Sequence, residues 1–262
     1  MDSLKEKDIQ ERYPWERSAY YSEYNSILGY YQVESCLEYV HGESLLDLPC
    51  GDGTLTALFA RYFKRVVGVD ASSKHIEVAR QRMPQAEFHE CLIEEYTSGE
   101  LFDNVVMLNI LEHVVDPLSV LRKAGSLLKR GGKLIVQVPN ANAINRHIAV
   151  RMGTLKSLDE LSPFDINVAG HRRSYMLQSL QKDIVDAGFN VVATGGIFYK
   201  MLSTAQMDWF LNNGLWQDGG FGWGRLGEEI SKDWKSEFCR ACYEIGKDRP
   251  EDCNVIYAVA LK

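Results

Sequence analysis

The sequence predicts a single doubly wound α/β domain, and three observations carry that reading. Strand-like and helix-like segments alternate from residue 44 to 139, a Gly-x-Gly turn joins the first strand to its helix, and Asp70 ends the second strand. Short apolar runs predict strands over 45–48, 65–70, 86–89, 102–108 and 133–138. Between them apolar residues recur at helical spacing: Leu55, Leu58, Phe59 and Tyr62, then Ile76 and Ala79, then Leu118, Leu121, Leu127 and Leu128. Gly131 and Gly132 read as the stop after the last of these. Strands that alternate with helices in this way form a parallel sheet.

An aromatic-rich segment precedes this core and a longer, more polar region follows it. The chain therefore divides into an N-terminal helical, aromatic segment over 1–43, a ligand-binding core over 44–140, and a region of further helices and the last strands over 141–262. The last region predicts helices over 142–152 and 176–187, a strand over 190–198, a long helix ending near Lys247 and a final strand over 255–261.

With 262 residues, 45% hydrophobic and 25% charged, the chain has the composition of an ordinary globular domain large enough for a full core. A net charge of −7 offers no basic face for a polyphosphate, so nucleic acid is excluded as partner. No stretch approaches the ~20 apolar residues of a membrane span, and the charged N-terminus lacks the apolar core of an export signal. Six cysteines without a disulfide spacing point to the reducing cytoplasm. The Cys239-x-x-Cys242 pair stands in a helical stretch without a second pair, so no metal site is expected there or elsewhere.

The run Ser44-Leu-Leu-Asp-Leu-Pro-Cys-Gly-Asp-Gly53 carries the chemistry. Gly51 and Gly53 let the backbone approach a ligand and adopt positive φ, and the helix that follows aims free amides at it. Asp70 sits where such folds place an acid against ribose hydroxyls. A dinucleotide and S-adenosylmethionine (SAM) both fit this outline. Thr56 stands where the dinucleotide fingerprint wants its third glycine, and Asp47 would oppose a pyrophosphate but suits a cationic amino acid moiety. The electrostatics favour SAM.

In order, 45–53, Val67-Gly-Val-Asp-Ala71, Phe102-Asp-Asn-Val-Val106, Leu111-Glu-His-Val114 and Leu127-Leu-Lys-Arg-Gly-Gly-Lys-Leu134 resemble the successive motifs of class I SAM-dependent methyltransferases. Pro49-Cys50 departs from the commoner Gly-Cys or Gly-Thr. The resemblance implies a Rossmann-like, seven-stranded, mostly parallel sheet with helices on both faces and the last strand antiparallel, plus an N-terminal helical lid and a C-terminal helical insertion. It implies that Asp47, Pro49, Gly51 and Gly53 hold the methionine part of SAM, Asp70 the ribose, and Ala71 the adenine. Cys91, Leu92 and Ile93 would follow the adenine edge, with a buried structural thiol the equal alternative for Cys91, and Asn109 with Ile110 would face the methionyl side.

Methyl transfer from a sulfonium mainly needs the acceptor held in line and water excluded, and a base only where a proton must leave. Two histidines are candidates for the catalytic base: His171, in the polar loop Gly170-His-Arg-Arg-Ser-Tyr175, and His113, expected at the start of the helix after the fourth strand. The Gly-His-Arg-Arg-x-Tyr run, Pro139-Asn-Ala-Asn142 and 195–203 further resemble a bacterial branch of these enzymes associated with sugar, surface-polysaccharide and natural-product methylation. That branch implies a small polar acceptor, with Arg172 or Arg173 as an anion clamp and Tyr175 beside it. Tyr20, Tyr21 and Tyr24 are candidates for a lid over the sulfonium. The aromatic and glycine-rich stretch 208–224 is unlike the branch. The expected function is O- or N-methylation of a small metabolite, a sugar, natural-product or peptide-like intermediate, with S-adenosylhomocysteine as product. A noncatalytic SAM-binding protein and an NAD(P)-dependent oxidoreductase are the alternatives.

Overall fold

The computed structural model describes residues 6, 7, 9, 23–213 and 234–262. Tyr20, Tyr21 and all of the 208–224 stretch beyond Asn213 lie outside the described residues.

In chain order the elements are α1 (Glu23–Leu37), β1 (Ser44–Asp47), α2 (Thr54–Phe59), β2 (Arg65–Asp70), α3 (Ser73–Arg82), β3 (Glu87–Glu90), β4 (Phe102–Leu108), α4 (Pro117–Leu127) and β5 (Leu128–Pro139). There follow α5 (Ile144–Arg151), α6 (Leu177–Asp186), β6 (Asn190–Tyr199), α7 (Thr204–Asn213), α8 (Trp234–Asp248) and β7 (Cys253–Leu261). The seven strands form one sheet in the order β3-β2-β1-β4-β5-β7-β6. β1 to β5 pair in parallel, and β7 runs antiparallel to both β5 and β6. The expected sheet and its antiparallel last strand are both present.

Alternation along each central strand explains why helices cover both faces. Leu46, Val67 and Val105 point into one cluster with Val120, Leu121 and Ala124 of α4 and Leu180 and Ile184 of α6. Their neighbours Leu45, Val66 and Val106 point the other way, onto Val33 and Cys36 of α1 and Phe59 of α2. α1 is further fastened where Gln137 of β5 donates from Nε2 to the Gln32 carbonyl at 2.9 Å. A third cluster joins Tyr24 of α1 to Phe198 of β6, Met207 and Leu211 of α7, and Cys239 and Tyr243 of α8. No helix among the described residues is long and apolar enough to cross a membrane.

Two boundaries differ from the sequence reading. β5 begins at Leu128, opposite Phe102, and the register then shifts to Asn104 opposite Lys133. Gly131, at φ +77°, sits in this irregular stretch inside the strand, so the glycine pair forms a bulge and does not end the helix. α4 starts at Pro117 and not at His113, because Asp116 caps it by accepting from the amides of Leu118 and Ser119. Asn140, in the Pro-Asn-Ala-Asn run, is structural: its side-chain amide donates to the carbonyls of Glu251 at 2.7 Å and Cys253 at 2.9 Å, tying the end of β5 to the start of β7.

Candidate active site

The strand order reverses between β1 and β4, and in open α/β sheets ligands bind at the carboxyl ends of the strands flanking such a switch. A cavity of about 280 Å³ opens there. Its walls come from the turn after β1 (Asp47, Pro49, Gly51), the end of β2 (Asp70, Ala71, Ser72), the turn after β3 (Leu92, Ile93), and the segment after β4 (Asn109, Ile110, His113).

The turn after β1 is shaped to receive a ligand. Gly51 has φ +52°, and a Cβ placed there would meet nothing within 4 Å and would project into open space at the cavity. Gly53, at φ +76°, answers a different need. A Cβ there would lie 3.1 Å from that of Ala79, so this glycine permits α2 to pack on α3 and does not itself border the cavity. Asp47 is buried, one carboxylate oxygen accepting from Thr56 Oγ1 at 2.7 Å while Oδ1 has no hydrogen-bond partner. Burial pushes its pKa up to about 7. A buried carboxylate oxygen lacking a partner, beside a glycine that keeps space open, fits the cationic amino acid end of SAM.

Asp70 accepts from the Gly51 amide at 3.0 Å and the Ser72 amide at 2.9 Å, with His75 Nδ1 at 3.4 Å. The two amide hydrogen bonds fix its carboxylate and leave lone pairs for two more donors, as a pair of ribose hydroxyls requires. Asp70→Ala should weaken S-adenosylhomocysteine binding by about 1.5–3 kcal/mol, the range for hydrogen bonds to a charged group. Calorimetric titration checks this, and unchanged affinity in a folded variant would remove Asp70 from the site.

After β4, His113 borders the cavity together with Ile110, Val114 and Val115. Its ring meets that of His171 edge-on, with centroids 4.9 Å apart. His171 does not border the cavity. It stands behind His113, its Nδ1 3.7 Å from Asp165, which is also paired to Arg146 at 3.5 Å. The loop is positioned by a π-helical turn, Asp165–Ala169, closed by Gly170 at φ +75°. Burial first, then His171, lowers the pKa of His113 to about 3, against a raising hydrogen bond to Gly170; burial also lowers that of His171, opposed by Asp165. Burial therefore favours the neutral form of both rings. Beneath them Glu112 is buried, its Oε1 3.6 Å from His113, and desolvation raises its pKa to about 8. Glu112, His113 and His171 bring ligand-type atoms within 4.8 Å of one another.

Several expected residues have other partners. The Arg173 guanidinium donates to the carbonyls of Leu111 at 2.6 Å, Val114 and Val115, so it shapes the His113 turn. Arg172 donates to Glu6. Tyr175 is buried and donates to Asp183 at 2.9 Å. Tyr24 is fully buried, edge-on to Phe198, away from the cavity walls. Cys91 packs against the main core instead of bordering the cavity. The sequence reading missed Thr56, Ser72, Glu112 and Asp165. Of these only Ser72 had a legible signal, as an N-cap directly after Asp70, and its hydroxyl accepts from the His75 amide.

This sheet order with a cavity at its switch point defines a class I SAM-dependent methyltransferase. The chain belongs to the methyltransferase-domain family, whose model matches residues 33–194, and SAM is its cofactor. It is similar to the ubiquinone biosynthesis O-methyltransferases of Cereibacter sphaeroides, 38% identical over 106 residues that make up 38% of this chain and 43% of the relative, and of Ruegeria pomeroyi, 38% identical over 117 residues, 42% and 46%. The chain thus spans less than half the length of these curated relatives. In fold it resembles a SAM-dependent methyltransferase from Thermotoga maritima, described as a possible histamine N-methyltransferase, at TM-score 0.61 and 15% identity over 98% of this chain and 99% of that one. It also resembles the N-methyltransferase NodS from Bradyrhizobium japonicum in complex with S-adenosylhomocysteine, at TM-score 0.55 and 13% identity over 100% and 99%.

Proposed function

We propose that the protein methylates a hydroxyl oxygen of a small metabolite, with His113 as the base and His171 and Asp165 as its support. The observation that carries this reading is a histidine, His113, that borders the cavity together with Ile110, Val114 and Val115 and is backed by His171. An amine can react without help once it arrives uncharged, whereas a hydroxyl gains from a base that removes its proton as the new bond forms. The O-methyltransferase names of the curated relatives support oxygen over nitrogen.

The cofactor, when bound, supplies an electrophilic methyl group on a sulfonium. The protein holds and shields. Asp47 would pair with the ammonium of the methionine moiety, and Gly51 would give that moiety room. Asp70 would accept from the ribose hydroxyls, Ala71, Leu92 and Ile93 would border the adenine, and Asn109 and Ile110 would lie on the methionyl side. The carboxylates of Asp47 and Asp70 favour a cationic ligand over a pyrophosphate. In its neutral form the His113 imidazole has one ring nitrogen with a lone pair that can take the acceptor's proton. Positive charge then appearing on the imidazole pair lies near Asp165. Sugars, natural-product intermediates and peptide-like hydroxyl compounds are the acceptor classes proposed.

Mass spectrometry of products from a panel of hydroxyl and amine acceptors tests the reading: O-methylated product is expected, and product only from amines would overturn it. A second expectation concerns pH. Because burial holds Asp47 near 7, and only its ionised form attracts the ammonium, affinity for S-adenosylhomocysteine should fall as pH is lowered from about 8 to about 6. Asp47→Asn should bind more weakly and flatten that profile. A wild-type affinity independent of pH over this range would contradict the pairing.

A further inference from the structure

We propose that Glu112, His113 and His171 form a binding site for one divalent transition ion of the zinc class, and that the bound ion withdraws His113 from its role as base. The site is independent of the acceptor, whereas the blockade rests on the function proposed above.

Glu112 is 1% exposed, and neither of its carboxylate oxygens meets a hydrogen-bond partner outside its own residue. Among the described residues its one ion-pair contact is with His113 Nε2, 3.6 Å from Oε1. Arg173 is close by, but its guanidinium is turned to the carbonyls of Leu111, Val114 and Val115. A buried carboxylate without hydrogen bonds or a cation is unstable, and a proton or a metal ion relieves it. Two imidazoles complete a set for the metal ion. The rings of His113 and His171 meet edge-on, and the ligand-type atoms of all three residues lie within 4.8 Å of one another. Bonds of ~2.0–2.1 Å at tetrahedral angles put ligand atoms roughly 3.4 Å apart. The Glu112–His113 pair is already near that spacing, and the widest pair closes by side-chain rotation.

The backbone holds the three residues together. The Arg172 amide, next to His171, donates to the Glu112 carbonyl at 2.7 Å, and the His171 amide donates to the Asp165 carbonyl at 2.7 Å. His171 Nδ1 faces the Asp165 carboxylate at 3.7 Å. That carboxylate is itself fixed, accepting from the amide and the hydroxyl of Ser162, each at 2.8 Å. A carboxylate behind Nδ1 leaves Nε2 as the ligand nitrogen, the arrangement that orients histidine on a metal. Two imidazoles and one carboxylate suit zinc, cobalt, nickel or copper and not magnesium or calcium, which take oxygen ligands. His113 also borders the cavity, so an ion has a path to the trio. An imidazole bound to a cation has no lone pair left for an acceptor's proton, so the ion and the base exclude each other.

Co²⁺ is the probe, because its absorption separates nitrogen and oxygen ligands from cysteine thiolates, of which this chain offers six. Titration of the full chain should develop the visible bands of one Co²⁺ per chain, without the intense near-ultraviolet band of a thiolate complex, and Zn²⁺ should displace it. Glu112→Gln and, separately, His171→Ala should weaken binding by about tenfold or more, since even the outer partners of a metal ligand contribute that much. Zn²⁺ should also raise the unfolding temperature of wild type and leave that of Glu112→Gln unmoved, and Mg²⁺ should move neither. With a hydroxyl acceptor, equimolar Zn²⁺ should lower turnover by up to the roughly 10²–10⁴-fold that a base contributes, and a chelator should restore it. No cobalt bands, bands of thiolate character, or equal binding by both folded variants would overturn the site. Binding that Glu112→Gln removes, with turnover untouched by Zn²⁺, would overturn the blockade and His113 as the base, and not the site.

Discussion

His113→Ala is expected to lower methyl transfer by roughly 10²–10⁴-fold, the usual contribution of a general base, while affinity for S-adenosylhomocysteine stays within about threefold of wild type. The separation follows from position, because His113 borders the cavity from the segment after β4, whereas Asp47 and Asp70 end β1 and β2. Steady-state kinetics with a hydroxyl acceptor, beside a titration of the cofactor product, reads both quantities. Full turnover in a folded variant would remove His113 as the base. His171→Ala has a signed consequence. His171 helps to hold the His113 pKa down, so its loss lets that pKa rise, and the acid limb of the rate profile moves to higher pH. Asp165→Asn acts on the other ring, removing the carboxylate that favours protonated His171.

The second large effect is expected at the turn. Gly51→Val should abolish cofactor binding while leaving the fold intact. The backbone there is at φ +52°, which a β-branched residue resists, and the new side chain would project into the cavity. Gly53→Val should behave differently. Its Cβ would press on Ala79, so the cost falls on the packing of α2 against α3 and is read as lost thermal stability. Thermal unfolding of both variants separates the roles. A Gly51 variant that binds normally, or one that does not fold, would contradict the assignment.

The contrast between these two glycines shows how far the sequence reached. It placed both in one motif because the spacing of strand, turn and helix is a local pattern, and the parallel pairing of the first strands follows from the same alternation, whereas the antiparallel last strand was implied only by the resemblance to class I methyltransferases. It could not tell which glycine faces the ligand, since that depends on α3, packed from residues more than twenty positions later. The acceptor side was legible only as residue types. The Gly-His-Arg-Arg-x-Tyr run promised a base and a clamp, but Arg173 is used by three carbonyls of the His113 turn, Arg172 by Glu6, and Tyr175 by Asp183. Those partners are 8 to 166 residues away, and no periodicity announces them. His113 against His171 is likewise a tertiary contact, made when the π-helical turn returns the chain to the end of β4. The N-terminal tyrosines are a further case: Tyr24 was a candidate for a lid over the sulfonium, but it serves the core between α1 and β6.

The cavity at the β1–β4 switch is expected to hold SAM. Calorimetric titration of the full chain with S-adenosylhomocysteine and, separately, with NADH tests it most directly. The structure predicts one S-adenosylhomocysteine site per chain, lost in Gly51→Val and weakened in Asp70→Ala, and no heat of binding from NADH. Saturable NADH binding that Gly51→Val abolishes, with none for S-adenosylhomocysteine, would contradict it.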